Sequence, residues 1–462
     1  MGDGRPEHAL GARRQVVVVG GGQAGLAMSY CLKQRGLDHV VLEKHRVGFE
    51  WRERRWDSFC LVTPNWQCRL PGHPYAGPEP TGFMGKGAIV DYVESYARGF
   101  GLPVIEGASA TALRPCPPAG GGAGSGTVAV AATAGATGGF ELETTAGTCL
   151  VSEVVVATGG YHIPQIPRLG ERLPDALLQM HSSEYRRPEQ LPPGAVLVIG
   201  SGQSGCQIAE DLHLAGRRAH LSVGSAPRTA RRYRGRDVVE WLEDMGYYRL
   251  PVEQHPLKER VRAKANHYVT GRDGGRDIDL RARAREGMRL HGRLVGVARG
   301  VGVLQFAGDL QQNLDQADAV SESIKDSIDR HIESRGIDAP TEPRYVPLWQ
   351  PVPGEGETLD LAAAGISTVI WCTGFRTDYR WIEAPIFNGS GYPVHARGVT
   401  AVPGLYFLGL PWLHTWGSGR FSGVAADAEH LAETIDRRLG ATAAAPNGRG
   451  RPAGLNALAL GS

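Results

Sequence analysis

The chain has 462 residues, enough for two or three domains with substantial cores. Its 50 basic residues nearly balance 48 acidic ones, and no long basic stretch is interleaved with aromatics, which argues against nucleic acid as a partner. The seven cysteines are scattered and form no CxxC pair. That excludes a structural zinc site and a disulfide framework, and fits a reducing, cytoplasmic setting. No apolar run approaches the ~18 residues that span a bilayer, and no signal-peptide pattern opens the chain, so no membrane is expected.

Residues 1–14 read as a disordered lead-in. An apolar strand at 16–19 then runs into Gly20-Gly21-Gly22-Gln23-Ala24-Gly25, and a helix is predicted over 24–35, stopped by Gly36. Such a loop turns tightly, lets a pyrophosphate approach the backbone and presents a helix N-terminus to it. Its candidate contacts are Gly20, Gly22, Gln23, Ala24 and Gly25. A second strand ends at Glu43-Lys44, 23 residues after Gly20, where a carboxylate receives a free ribose diol. The Pro-, Gly- and Ala-rich stretch 115–139 reads as a hairpin with a long flexible tip, with a possible strand at 128–132. A buried strand at 151–157 ends in the turn Thr158-Gly159.

The glycine loop recurs as Gly200-Ser201-Gly202-Gln203-Ser204-Gly205 after a strand at 196–199. Here Gly200, Gly202, Gln203, Ser204 and Gly205 are the candidate contacts. Counting 23 residues on reaches Val223, with Arg228, Arg231 and Arg232 beyond it. An apolar residue followed by arginines suits a 2′-phosphate; Arg228 is the first choice, then Arg231. Apolar residues at three- and four-residue spacing predict an amphipathic helix over 311–335, packed on the core. A strand at 367–372 ends in Thr373-Gly374; a last strand at 405–408 and a helix at 423–439 follow.

The expected fold is α/β, with two Rossmann-like dinucleotide-binding domains, one inserted in the other. FAD occupies a discontinuous domain, 15–163 and 367–439. NADPH occupies the inserted domain, 164–366, which carries an atypical helical segment at 250–345. A flexible tail covers 440–462.

Beyond the glycine loops, Gly48-Phe49-Glu50-Trp51, the run from Trp51 to Asp57, Pro64, Cys68 and the turns Ala157-Thr158-Gly159 and Thr373-Gly374-Phe375 resemble the flavin-containing monooxygenases. These are class B flavoprotein monooxygenases. The likeness is to a YUCCA-like bacterial branch, and the chain is also similar to flavoproteins found beside nitrilases. The family signature FxGxxxHxxx(Y/F) keeps His181 and Tyr185, while its Phe and Gly positions hold Asp175 and Leu177. The resemblance implies Trp51, Thr158, Gly159, Thr373 and Gly374 near the cofactors. It implies an enzyme that uses NADPH and O2 to put one oxygen atom into a small-molecule substrate through a C4a-(hydro)peroxyflavin. In such enzymes the flavin does the chemistry and the protein shelters it, so no nucleophile–base–acid set is expected, and no metal. Thr63 and Asn65 are candidates for the flavin face, and His414, with Trp412 and Trp416, for the substrate pocket. Alternatives stay open: an NADPH oxidase or reductase without productive oxygen transfer, or a redox-sensing binding flavoprotein. Assembly is open too, with a homodimer among the options.

Overall fold

The computed structural model describes residues 10–117, 138–298 and 302–444. The possible strand at 128–132 and the end of the tail lie outside these. Two β-sheets organise the rest. In the larger, Arg13–Val19 lies between His39–Glu43 and Gly147–Val156, all parallel, with Val104–Glu106 beyond one neighbour and Leu405–Phe407 beyond the other. The central strands are Val- and Leu-rich runs buried on both faces, as a covered parallel sheet requires. Helices Gln23–Gln34 and Val424–Ala444 pack together over one face, on a core including Leu26, Met28, Leu431 and Ile435.

The second sheet is parallel throughout, in the order Leu178–His181, Ile366–Trp371, Ala195–Ile199, Ala219–Ser222, Arg289–His291. Helix Gln203–Leu214 follows its glycine loop. The amphipathic helix, Leu310–Arg335, buries Leu314, Ala317, Ile328 and Ile332 in the cores of this half, consistent with its apolar stripe.

Three expected boundaries are corrected. Strand Ile366–Trp371 was expected to reopen the FAD domain, yet it pairs with Ala195–Ile199 and Leu178–His181, so the crossing back follows Trp371. The lead-in does not reach 14: Leu10 is buried, and Arg13 and Arg14 pair with Leu150 and Val151. The last helix continues past 439 to Ala444. Among its described residues the segment 250–345 holds short 3-10 turns, the short helix Leu280–Arg285 and three strands besides the long helix.

Two chain crossings join the halves, and they pair with each other. Ile163–Pro164 runs antiparallel to Phe375–Arg376. His181 reaches the second of them: its Nε2 lies 3.0 Å from the Gly374 carbonyl, and its Nδ1 lies 2.9 Å from Ser183 Oγ.

In the second sheet, His220 Nδ1 lies 3.0 Å from His291 Nε2 on the adjacent strand. Burial, then the neighbouring His291, hold His220 down at about 4, and burial lowers His291 as well. Both therefore resist protonation in the folded state, whereas unfolded histidines take up a proton near pH ~6.5. The unfolded chain binds more protons in that window, so stability is full above ~6.5 and falls as pH drops towards 4. Denaturant midpoints measured across this range should decline with falling pH, and His220→Gln should flatten part of the decline.

Candidate functional site

The two glycine loops are built alike. Gly20 and Gly200 have φ of 111° and 103°, a region that favours glycine. A Cβ on Gly25 would sit 1.8 Å from the Gly20 carbonyl oxygen, and one on Gly205 1.7 Å from that of Gly200. A Cβ on Gly22 or Gly202 would meet nothing within 4 Å, so each faces an open cradle. That is the space a pyrophosphate would fill, at the start of a twelve-residue helix with no side-chain cap.

Each loop also abuts one of the crossings. A Cβ on Gly20 would lie 2.6 Å from the Ala157 carbonyl oxygen, and one on Gly200 2.7 Å from that of Cys372. Thr158-Gly159 and Thr373-Gly374 therefore stand beside the first and second cradles respectively. The glutamines repeat the symmetry: Gln23 donates to the Gly419 carbonyl at 3.0 Å and Gln203 to that of Val269 at 2.5 Å. Both side chains tie a distant loop to the cradle. Ala24 is buried against Gly409, whereas Ser204 is half-buried.

The ends of the second strands differ. Glu43 accepts from Gly21 N and His45 N, both at 2.8 Å, one on each carboxylate oxygen, which aims it across the first cradle. Lys44 beside it is exposed. In the second unit Ser201 Oγ accepts from Gly224 N at 2.9 Å, and the apolar Val223 takes the place of Glu43. Trp51 stacks on Phe421 with ring centroids 5.7 Å apart, joining the two parts of the larger-sheet domain.

Arg228 and Arg231 are not where a 2′-phosphate would need them. Arg228 is buried, with its Nε 2.5 Å from Asp318 and its guanidinium over Tyr345 at 4.1 Å. Burial opposes its charge, but Asp318, Tyr345 and Asp279 together raise its pKa. Arg231 is equally buried, donating to the Val62 carbonyl at 2.7 Å and to Asp237 at 3.0 Å. It tethers the inserted half to the other. Counting along one strand could not see that the long helix brings Asp318 onto Arg228. The exposed arginine at this corner is Arg293, on the next strand's exit, whose Cγ lies 4.0 Å from a Cβ placed on Gly224.

The catalytic candidates separate. Asn65 is buried; it donates to the Glu79 carbonyl at 2.9 Å and accepts from Met84 N at 2.7 Å. Its amide is committed to the loop at 79–84, not presented to a cavity. Thr63 is half-buried beside Val62, with no hydrogen bond to its hydroxyl among the described residues. His414 stands apart on the late segment, its Nδ1 enclosed and unbonded and its backbone N donating to Ser418 Oγ at 3.0 Å. Sequence reasoning missed Ser418 and Asp427 beneath it. Asp427 is buried, which raises its pKa, and Arg397 lies 3.3 Å away. Only its place in the last helix's first turn signalled it.

The cysteines bear on the reductase alternative. All seven are free, and burial pushes Cys31, Cys68 and Cys372 up to about 12. Thiols so disfavoured as thiolates are poor redox nucleophiles.

With this geometry in place, comparison with known proteins is informative. Residues 18–81 match the NAD(P)-binding Rossmann-like domain family, and residues 127–274 the pyridine nucleotide-disulphide oxidoreductase family. An uncharacterized CzcO-like oxidoreductase of Geobacillus kaustophilus is 32% identical over 424 residues, covering 91% of this chain and 97% of that protein. The chain belongs to the CzcO-like oxidoreductases. It is thus an oxidoreductase of the flavin monooxygenase-like group, for which FAD and NADPH are the typical cofactors. Indole-3-pyruvate monooxygenase YUCCA1 of Oryza sativa subsp. japonica is 34% identical over 198 residues, 42% of this chain and 44% of its own length. Among solved structures, a flavin monooxygenase from Stenotrophomonas maltophilia superposes with a TM-score of 0.59 at 20% identity, covering 93% of this chain and 100% of the other. That likeness concerns the two-domain fold. No helix among the described residues is long and apolar enough to cross a membrane.

Asn65 gives a clear test of structural against catalytic service. Asn65→Ala leaves the buried Met84 N–H without its partner, while the exposed Glu79 carbonyl can turn to water, which costs about 1–3 kcal/mol. The expected result is a lower denaturation midpoint, with the turnover of properly folded enzyme changed much less.

Proposed function

We propose that this oxidoreductase is a FAD-dependent, NADPH-reduced monooxygenase that transfers one oxygen atom from O2 to a small-molecule substrate. The observation that carries the reading is the pair of open glycine cradles, one overlooked by Glu43 and the other with the apolar Val223 in the matching place. When bound, the flavin accepts hydride from NADPH and activates O2. The chain's own residues bind, orient and shelter.

In this reading the backbone of 20–25 and the helix after it hold the FAD pyrophosphate, and Thr158 and Gly159 flank it. Glu43 keeps a lone pair on each oxygen for the ribose diol. The backbone of 200–205 holds NADPH, with Thr373 and Gly374 alongside. Arg293 takes over the 2′-phosphate role from Arg228 and Arg231. Asp309 holds Arg293 through Nε at 2.5 Å, leaving the two terminal nitrogens for a phosphate. The segment 412–420 and the start of the last helix close the flavin end and exclude water, with His414 facing substrate. Thr63 lines the opposite approach.

Three outcomes follow. Glu43→Ala should purify with much less bound FAD, read from the ratio of flavin to protein absorbance. Loss of a charge-assisted phosphate contact is worth ~1.5–3 kcal/mol, so Arg293→Ala should raise KM for NADPH about ten- to hundred-fold and leave KM for NADH nearly unchanged. Oxygen transfer itself is read from the balance of NADPH consumed and hydrogen peroxide released. With a true substrate, peroxide should fall well below one per NADPH; a ratio of one with every substrate tried would favour the oxidase reading.

A further inference from the structure

Between Gly246 and Tyr268 the inserted half sends out a loop that packs on the other half. Both ends of the loop are anchored in the inserted half. Trp241, before it, is buried with Ile328 and Ile332, and Tyr268, after it, lies in the core that holds Leu221. The middle is anchored elsewhere. Val252 and Val261 form a small separate core with Trp412, from the segment before the last helix. The loop's regular structure is three short 3-10 turns. Among the described residues its backbone bonds are short-range turns, except that Val252 N donates to the His414 carbonyl at 2.7 Å. Arg262 makes a second tie. Its Nε donates to the Trp412 carbonyl at 3.1 Å, and its guanidinium carbon lies 5.2 Å from the ring centroid of Tyr392, also in the other half. Asn266, near the loop's end, accepts from Arg420 at 2.7 Å.

The backbone of Trp412 is left-handed, with φ of 53°, although its side chain is bulky and buried. That conformation is strained for a residue with a Cβ and persists only where the surroundings impose it. Here the loop imposes it. Arg262 holds the carbonyl, and His255 and Tyr247 stand edge-on to the indole, with ring centroids 5.1 and 6.2 Å away. A small core and few bonds give this contact less local stability than the sheets on either side. Breaking it would release the strain at Trp412, two residues from His414. Contact and strain thus oppose each other, the balance expected of a closure that opens without unfolding either half.

We propose that residues 247–266 are a strap over the flavin end, latched by Arg262 on the strained Trp412, and that its release admits substrate to the segment 412–416. This rests on the monooxygenase reading of that end. Closed, the strap holds the segment down and keeps water out. Open, it frees the His414 carbonyl from Val252 and lets Trp412 leave the left-handed region. Arg262 is a positioning residue, acting through Trp412.

Hydrogen exchange of the full chain, read by mass spectrometry, tests the latch without turnover. In the wild type, peptides spanning 250–257 and 410–416 should exchange faster than the strand Ala195–Ile199. Arg262→Ala should speed both by about ten-fold, as loss of a charge-assisted bond implies, and leave that strand unchanged. Arg262→Lys should restore part of the protection. At 412 glycine takes a positive φ freely and alanine does not, while both lose the indole. Trp412→Gly should therefore keep the two peptides about five-fold better protected than Trp412→Ala. Access is read separately, from iodide quenching of the fluorescence of bound FAD, which should rise several-fold in Arg262→Ala. Unchanged exchange in both peptides, or a change spread equally through Ala195–Ile199, overturns the latch. Equal protection in the Gly and Ala variants overturns the strain at Trp412. Faster exchange with unaltered quenching overturns the gate, since the strap would then open over nothing that reaches the flavin. A wild-type chain that retains no FAD would sink the monooxygenase reading itself, and the exchange measurements would still decide the latch.

Discussion

Everything at the centre of this molecule depends on two carbonyl oxygens being allowed to touch a helix. The Gly20 and Gly200 carbonyls sit where Cβ atoms of Gly25 and Gly205 would otherwise be. That contact draws each helix against its strand and turns the first helical N–H groups towards an open space. Larger residues would force the loop away, and with it the chain crossing on its other side, because Ala157 and Cys372 press on the same glycines. Cradle, helix and crossing are one packed unit, present twice.

The duplication was legible in the sequence because its cause is local. Glycine spacing, a preceding apolar run and a carboxylate 23 residues on all lie within one strand–helix–strand unit, and Glu43 bonds back to Gly21 of the same loop. Arg228 and Arg231 failed the same counting because their partners come from elsewhere. Asp318 arrives on a helix some 90 positions later, and Val62 from the other half. Charge in a sequence does not reveal whether it is spent, and here it was spent inside. Arg293 stood out only when the ion pairs were laid in space. The strand Ile366–Trp371 misled for a related reason, since its apolar run is equally suited to either sheet and only pairing decides.

Asn65 shows a further limit of reading by motif. A polar residue in the expected neighbourhood of a flavin has two uses, facing the cofactor or facing the backbone. Its two amide bonds to 79 and 84 fold that loop against the rim of the cleft. Elsewhere in that half cations stack on aromatic rings, Arg55 on Trp51 and Arg420 on Trp416, and Asp427 lies buried near His414 and Ser418.

The paired crossings have a mechanical meaning. A domain hung on one strand can twist as well as swing. Two strands bonded side by side, as Ile163–Pro164 and Phe375–Arg376 are, resist twisting and leave bending about a single axis. Such a hinge would carry the second cradle along one arc past the first. Arg231 on Val62 and Arg420 on Asn266 are the contacts that such bending would stretch. Bending confined to that axis would change the distance between the two glycine cradles without twisting one about the other.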